Sequence, residues 1–435
     1  MNYIDKDKLS AVRHSLGGSY PRLSTFLFYG VMVLVCIFIF CLPFPYTTFI
    51  TNISFYLAII MAVTLILLKA FPFVVRTPLT WPLLIFFLWS CFSLIWALNF
   101  SNTLDDLRGH LLYYLILFIL LINFFNSKKH MNLLVWIVVI SAVVFSGVGI
   151  VYYYVIMGSS ITDIRLGLLL PDGRNVSTEL PCNLIGTLLI PAMLFCFYLY
   201  QMKTNVRIRS FIFFCGSIIF VASILTQSRT TLLAMVVTIT LLLLIKNKKK
   251  WLVGFLILIS LTLAFLSINK RIINSESFLE RLKINNVVLE VVKDNLLLGI
   301  GFGMRTFSET LDIREYVHRI SPERRPVNII NPHNWLLDMM LRVGIIGLIL
   351  FLCIIFAFIK MGWKIIRHSR DPAYRELAIY LNIAFLSYFL IGLFEPVFLF
   401  SASAIIFYVL LAMMTILWLC NRNENLVHDP DRAVV

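Results

Sequence analysis

Residues 331–360 read NPHNWLLDMMLRVGIIGLILFLCIIFAFIK, in which a short polar segment precedes a long apolar run. About 20 apolar residues suffice for a helix to cross the hydrocarbon core of a bilayer. We therefore place a membrane span at 335–360, with His333 at its mouth. Histidine is the side chain best suited to proton transfer near neutral pH. The stretch thus predicts a membrane protein with a reactive group at one end of a span.

Two glycines follow the histidine along this predicted helix. At 100° per residue, Gly344 lies about 20° from His333 around the helix and Gly347 about 40° the other way. A stripe of small residues allows a second helix to approach closely. We therefore expect a neighbouring helix to pack against the two glycines beneath His333.

The composition extends this prediction to the whole chain, which has 435 residues, of which 60% are hydrophobic and 14% charged. Its mean hydropathy is +0.91, and a soluble protein cannot bury so much apolar surface. The sequence predicts an all-α integral membrane protein with about twelve transmembrane helices. The predicted spans are 24–44, 53–69, 80–97, 109–125, 132–157, 180–201, 210–226, 230–245, 252–268, 335–360, 376–394 and 400–419.

The spans divide the chain into four parts. Residues 1–268 form an N-terminal transmembrane bundle of about nine helices, and 269–334 form one long loop containing helices. Residues 335–419 hold the C-terminal transmembrane helices, and 420–435 form a tail. The polar first 23 residues precede the first apolar run, so we do not expect a cleavable signal peptide.

Positive charge sets the predicted orientation. With the N-terminus inside, 22 of the 37 Lys and Arg residues fall in cytoplasmic segments and ten in the long loop. Short cytoplasmic loops carry an excess of Lys and Arg, so we predict that both termini are cytoplasmic and that 269–334 faces outward. This asymmetry explains most of the net charge of +15, and we do not expect nucleic acid as a partner.

Five arginines remain on outer loops or helix mouths, namely Arg108, Arg165, Arg174, Arg229 and Arg342. Arg229 lies in the polar break TQSRT at 226–230, and irregular backbone at membrane depth is tolerated only inside protein or beside a wet cavity. The planar guanidinium suits bidentate contact with phosphate. For Arg108 and Arg342, extension of the side chain toward lipid phosphates is an equal alternative to contact with a substrate phosphate.

The long loop has two recognisable halves. Apolar residues at Phe278, Leu279, Leu282, Val288 and Val292 predict an amphipathic helix lying on the membrane. Glycines at 299, 301 and 303 then predict a turn rather than a nucleotide site, because no strand precedes them and no Gly-Lys-Ser/Thr follows. A basic stretch beyond it, starting at Arg305, can contribute one or two contacts to substrate.

Metal and cofactor chemistry find little support in the sequence. Histidines and carboxylates do not cluster on one predicted face, and the eight cysteines show no CxxC spacing. We therefore predict metal-independent catalysis without a cofactor, in which arginines supply the positive charge.

Several of these features resemble one family. The His333-Asn334 pair, the nine-residue gap and the paired glycines resemble the signature of bacterial O-antigen ligases. Ser228-Arg229 and the segment 294–303 resemble further family elements, and Glu395 stands where the family often has an aspartate. The same superfamily includes pilin O-oligosaccharyltransferases and O-antigen polymerases.

The resemblance implies a GT-C-like, inverting glycosyltransferase of lipopolysaccharide assembly in the Gram-negative inner membrane. Such an enzyme transfers O-antigen from undecaprenyl diphosphate to a hydroxyl of lipid A–core at the periplasmic face. His333 would orient or deprotonate that hydroxyl, and arginines would stabilise the departing diphosphate. The candidates for the diphosphate are Arg165, Arg174, Arg229 and Arg305, and those for support are Asn334, Ser228, Gly344, Gly347 and Glu395.

Other functions remain open from the sequence. A pilin transferase or a polymerase would use the same donor with another acceptor. A transporter or flippase of lipid-linked glycan is a further alternative, but it predicts inverted repeats and ionisable groups near the bilayer midplane. In this chain the unusual charges lie toward one face, which favours chemistry at a surface.

Overall fold

The computed structural model describes residues 21–44, 46–70, 72–161, 165–167, 181–266, 276–327 and 331–428. These residues form helices and connecting turns, and no strand occurs among them. The main helices are α1 Pro21–Cys41, α2 Thr48–Leu67, α3 Thr80–Ile95, α4 Phe100–Phe124, α5 Lys128–Ile156, α6 Gly186–Met202, α7 Val206–Leu225, α8 Arg229–Ile245, α9 Lys249–Leu266, α10 Glu276–Asp294, α11 Trp335–His368, α12 Pro372–Gly392 and α13 Ser401–His428.

The predicted fold class is confirmed. Eight helices of the described part are long and apolar enough to cross a membrane, and α3, α6 and α8 are shorter apolar helices. With α9, these account for all twelve predicted spans. The most buried span belongs to α13, which packs against α4, α11 and α12. A helix that is apolar on all sides belongs in the centre of a bundle.

The tenth predicted span, α11, is broken at Gly344, where φ is +69° and ψ is −176°. The segment 296–301 supplies the missing hydrogen bonds. The amides of Ile300 and Gly301 each donate to carbonyls of α11, at 3.0 Å, and the amide of Ile345 donates to the Leu296 carbonyl at 2.8 Å. The indole of Trp89 donates to the Val343 carbonyl at 2.9 Å. The break therefore leaves these polar groups satisfied inside the protein.

The predicted small-residue stripe is therefore wrong at Gly344. The backbone break separates the turns on either side, and His333 itself precedes the helix, which begins at Trp335. A Cβ on Gly344 would lie 2.1 Å from the Leu297 carbonyl oxygen, so a loop approaches at this point rather than a helix. At Gly347 a neighbouring helix does approach, because a Cβ would lie 3.0 Å from Cδ1 of Trp89 in α3.

The glycine-rich segment continues onto α3 and α4. Its next four amides donate to side-chain oxygens, from Phe302 to Ser93, from Gly303 to Thr103, from Met304 to Asp106 and from Arg305 to Asn102, over 2.6–3.2 Å. Six consecutive amides, 300–305, thus have acceptors within the protein. The segment therefore has a structural role, in keeping with the predicted turn, and none of these six amides is available to bind a phosphate.

The loop forms its own small core on α11. On α10, the side chains of Val288 and Val292 are buried with Ile284, Val287 and Val291. These contact residues of the following loop helices and Leu341 of α11. Phe278, Leu279 and Leu282 instead stay 43–50% exposed. The helix is confirmed, but its apolar residues divide between two sides instead of forming the single face that we predicted.

We predict that Gly344→Ala destabilises the protein by about 3 kcal/mol or more, because an alanine there meets both an unfavourable φ and the Leu297 carbonyl. Thermal unfolding in detergent measures the change. Gly147→Ala in α5 is the matched control, since its Cβ would meet no atom within 4 Å. Equal melting temperatures for the two variants would contradict the structural role of the break.

Candidate active site around His333

His333 is held between α10 and α11. Asn334 caps α11, its Oδ1 accepting from the amides of Leu336 at 3.0 Å and Leu337 at 3.1 Å, as favoured at helix N-termini. The amide of His333 donates to Oδ1 of Asn285 in α10 at 3.2 Å. The His333 side chain is 24% exposed. Its backbone is thus fixed while its imidazole stays accessible.

Glu395, in the turn between α12 and α13, lies behind the imidazole. Its side chain is only 5% exposed, with Oε2 3.8 Å from Nδ1 of His333 and Oε1 2.7 Å from Nη1 of Arg281. Arg281 also donates to the Phe394 carbonyl at 3.3 Å. A buried carboxylate needs such partners, because an isolated charge is expensive to desolvate. These contacts join α10, α11 and the α12–α13 turn in one cluster.

The cluster can support acid–base chemistry. A carboxylate at one nitrogen of a histidine orients the ring and stabilises the imidazolium that forms when the other nitrogen takes a proton. The separation of 3.8 Å from Glu395 to His333 is an ion-pair distance rather than a hydrogen bond. Catalytic contacts are often longer before substrate binds. The Glu395 carboxylate near Nδ1 and the partial exposure of the ring are thus surroundings in which His333 can act as a base.

Arg281 is the main residue that the sequence analysis missed. It lies on α10 four residues before Asn285, so both project from one face of that helix. Asn285 binds the His333 backbone and Arg281 binds Glu395. Ten of the nineteen residues of α10 are polar or charged, so the spacing of these two did not distinguish them, and their target could not be identified without the tertiary structure.

The polar break at 226–230 forms a second group. Ser228 caps α8, its Oγ accepting from the Thr231 amide at 3.3 Å. Arg229 is the first residue of α8 and is half-buried. Arg165 donates from Nε to the Thr226 carbonyl at 2.8 Å and from Nη2 to Oδ1 of Asn183 at 2.7 Å. The structure thus brings Arg165 beside the break and uses part of its guanidinium to hold the turn.

The two groups lie at the same end of the bundle. Helices α8 and α12 pack together, and Lys246, just after α8, pairs with Glu376 near the start of α12. The helices are therefore antiparallel. We compare distances along the helix axes from the Lys246–Glu376 pair, at about 1.5 Å per residue. Arg229 lies about 25 Å from the pair along α8, and the last turn of α12 lies about 24 Å from it. Arg229 and Glu395 consequently stand at a similar height.

The remaining arginines are placed differently. Arg342 is 3% exposed and forms a two-point ion pair with Asp338, at 2.9 and 2.6 Å, so the lipid-phosphate alternative is wrong for this residue. Arg305 has an exposed side chain, while its amide is bound to α4. Arg174 lies outside the described residues. The predicted diphosphate contacts of Arg165, Arg174, Arg229 and Arg305 remain predictions.

The described residues contain no group of three or more His, Cys, Asp or Glu side chains positioned to hold a metal ion. Metal independence likewise remains a prediction, because it concerns the reaction and requires an assay.

Residues 211–352 match a family model described as O-Antigen ligase. The match, about a third of the chain, extends from α7 to α11 and includes Ser228, Arg229, Arg281 and His333. The resemblance to this family is confirmed over these residues. Glu395 lies beyond the matched segment. No curated protein matches the chain.

We predict that Arg281 and Glu395 are energetically coupled, because the substitution of either residue leaves the charge of the other without its partner. In a double-mutant cycle with Arg281→Gln and Glu395→Gln, unfolding free energies should show a coupling of about 0.5–3 kcal/mol. The pair Arg314→Gln and Glu395→Gln is the control, because Arg314 is exposed on the same loop. Additive effects of Arg281→Gln and Glu395→Gln would show that the contact contributes nothing.

Proposed function

We propose that this chain, which carries the O-antigen ligase match at 211–352, is an inverting glycosyltransferase. It transfers O-antigen polysaccharide from undecaprenyl diphosphate to a hydroxyl of lipid A–core. The observation that supports this most is the buried Glu395 carboxylate between Arg281 and His333, at the same end of the bundle as Arg229.

The orientation of the charges supports a periplasmic site. The ends of α8 and α12 opposite the site carry Lys246 and Arg375, and Lys128 at the start of α5 pairs with Asp371 there. The positive-inside rule assigns this basic end to the cytoplasm, so both termini are cytoplasmic and His333 faces the periplasm. Nucleotide sugars are absent from that compartment, and a lipid-linked glycan is the activated donor that remains.

Departure of the donor's leaving group requires positive charge. When the bond between the anomeric carbon and the phosphate oxygen breaks, the electron pair goes to the diphosphate. Preorganised cationic donors at this point stabilise the transition state more than the ground state. Arg229 presents its guanidinium at the N-terminus of α8, where the helix dipole also favours an anion. Arg281 supplies the second guanidinium from α10.

The acceptor hydroxyl attacks from the opposite side of the sugar. A new bond forms between its oxygen and the anomeric carbon while the bond to the diphosphate breaks, so the anomeric configuration inverts. Nε2 of His333 takes the hydroxyl proton, and Glu395 stabilises the resulting imidazolium through Nδ1. Asn334 and Ser228 support the reaction by capping α11 and α8.

The acceptor distinguishes this proposal from its nearest alternatives. A pilin transferase or a polymerase would use the same donor, the same arginines and the same histidine, and only the nucleophile would differ. A transporter is less consistent with the structure, because the charged groups of the site lie at one end of the bundle.

We predict that His333→Ala lowers transfer from undecaprenyl-diphosphate-linked O-antigen to lipid A–core by about 10²–10⁴-fold in kcat. Arg229→Ala and Arg281→Ala should each cost about 10²–10³-fold, through lost stabilisation of the diphosphate. Purified protein in lipid nanodiscs and a gel shift of the glycolipid give the rates. His368→Ala and Arg370→Ala, exposed residues at and just after the opposite end of α11, are the matched controls. Normal transfer by His333→Ala would refute its catalytic role.

We further predict that EDTA leaves the wild-type rate unchanged, because arginines rather than a divalent ion neutralise the leaving group. The same nanodiscs are assayed with lipid A–core, pilin and growing O-antigen as acceptors. Loss of transfer with EDTA and recovery with added Mg²⁺ or Mn²⁺ would contradict metal independence. Transfer to pilin or to O-antigen alone would reassign the acceptor while leaving the site intact.

A further inference from the structure

A groove runs between α1 and α5, starting at the end of the bundle opposite His333. It has a volume of about 670 Å³, within the range of ligand-binding pockets. Its walls include Tyr29, Ile37 and Phe40 of α1 and Lys129, His130 and Trp136 of α5. The side chains of Tyr29 and Ile37 are 49% and 37% exposed, so the groove opens sideways. In a bilayer this opening faces lipid.

The two helices run in the same direction along the groove. At one end the rings of Phe28 and His130 are 6.3 Å apart, and at the other the Ser141 hydroxyl donates to the Phe40 carbonyl at 2.8 Å. This hydrogen bond joins the helices beyond Phe40. The groove between these contacts is about 17 Å long, at 1.5 Å per residue. Such a length suits an extended acyl chain.

Charge distinguishes the two ends of the groove. Lys129 lies at the His130 end, is exposed and lines the groove. The preceding residue, Lys128, instead pairs with Asp371, the N-cap of α12. Asp371 lies at the end of α12 opposite Glu395, the end that also carries Lys246 and Arg375. The Lys129 end of the groove therefore belongs to the basic end of the bundle. Basic pockets between helices at a cytoplasmic surface bind anionic lipid headgroups.

We propose that this groove binds one anionic phospholipid from the leaflet at the basic end. An acyl chain lies along Tyr29, Ile37 and Phe40, and the headgroup phosphate contacts Lys129 and His130. The donor lipid does not fit this arrangement, since its diphosphate belongs at the opposite end, beside Arg229 and Arg281. Lipid binding in this groove does not depend on the proposed transfer reaction. The proposed orientation determines only whether the bound lipid comes from the cytoplasmic or the periplasmic leaflet.

Native mass spectrometry of delipidated protein in detergent tests the proposal directly. Phosphatidylglycerol and phosphatidylcholine of the same chain length are titrated separately. We expect one phosphatidylglycerol to bind at least ten-fold more tightly than phosphatidylcholine. The double variant Lys129→Gln, His130→Gln should lose that preference, and Ile37→Trp, which fills the groove, should lose both lipids. Lys248→Gln, at the same end between α8 and α9, is the matched control and should behave as wild type.

Three results would overturn the proposal. They are equal binding of the two lipids by wild type, retention of the preference by the Lys129/His130 variant, and unchanged binding by Ile37→Trp. Leu133→Trp fills the groove from the α5 side and replaces Ile37→Trp if that variant is not monodisperse. Melting temperatures of each variant without lipid separate loss of folding from loss of the site.

Discussion

The break in α11 at Gly344 is the constraint on which the end of the molecule around His333 depends. In a continuous helix the carbonyls of α11 would accept from amides of the same helix, and the amides of Ile300 and Gly301 would lose their acceptors. The left-handed glycine instead exposes carbonyls that this segment binds, and the next four amides attach it to α3 and α4. Unsatisfied backbone groups inside a membrane cost several kcal/mol each. The break at Gly344 and the segment 296–301 therefore stabilise one another. The segment follows α10 directly, so the same hydrogen bonds set the position of that helix.

The position of α10 then determines the chemistry of the proposed site. Asn285 holds the backbone before α11, and Arg281 reaches the buried Glu395 beside His333. The buried carboxylate lies between a permanent cation and a titratable ring, so it can stabilise positive charge on the ring without having to be desolvated anew. Arg229 is placed by different means, a capped helix that pairs antiparallel with α12. Catalysis in our proposal therefore depends on two helices, α10 and α8, whose supporting contacts lie at the same end of the bundle.

The sequence was informative where structure is decided locally. Helices in a membrane must satisfy their backbone internally, so hydropathy locates all twelve, although α11 continues to His368 beyond the predicted end at 360 because its basic last turns lie outside the apolar core. The motif around His333 is also local. The role of Arg281 depends on a partner more than 100 residues away. Gly344 looks like a packing glycine in an apolar run, and its left-handed backbone is explained only by contacts with 296–301 and with Trp89.

The most direct test of the central claim is a cryo-EM structure of the His333→Ala variant bound to undecaprenyl-diphosphate-linked O-antigen. We expect the diphosphate to contact the guanidinium groups of Arg229 and Arg281, with the anomeric carbon facing the space left by the imidazole. The acceptor side of that carbon should open toward the periplasmic leaflet. A diphosphate bound at the basic end near Lys129, or away from both arginines, would contradict a donor site built from Arg229, Arg281 and His333.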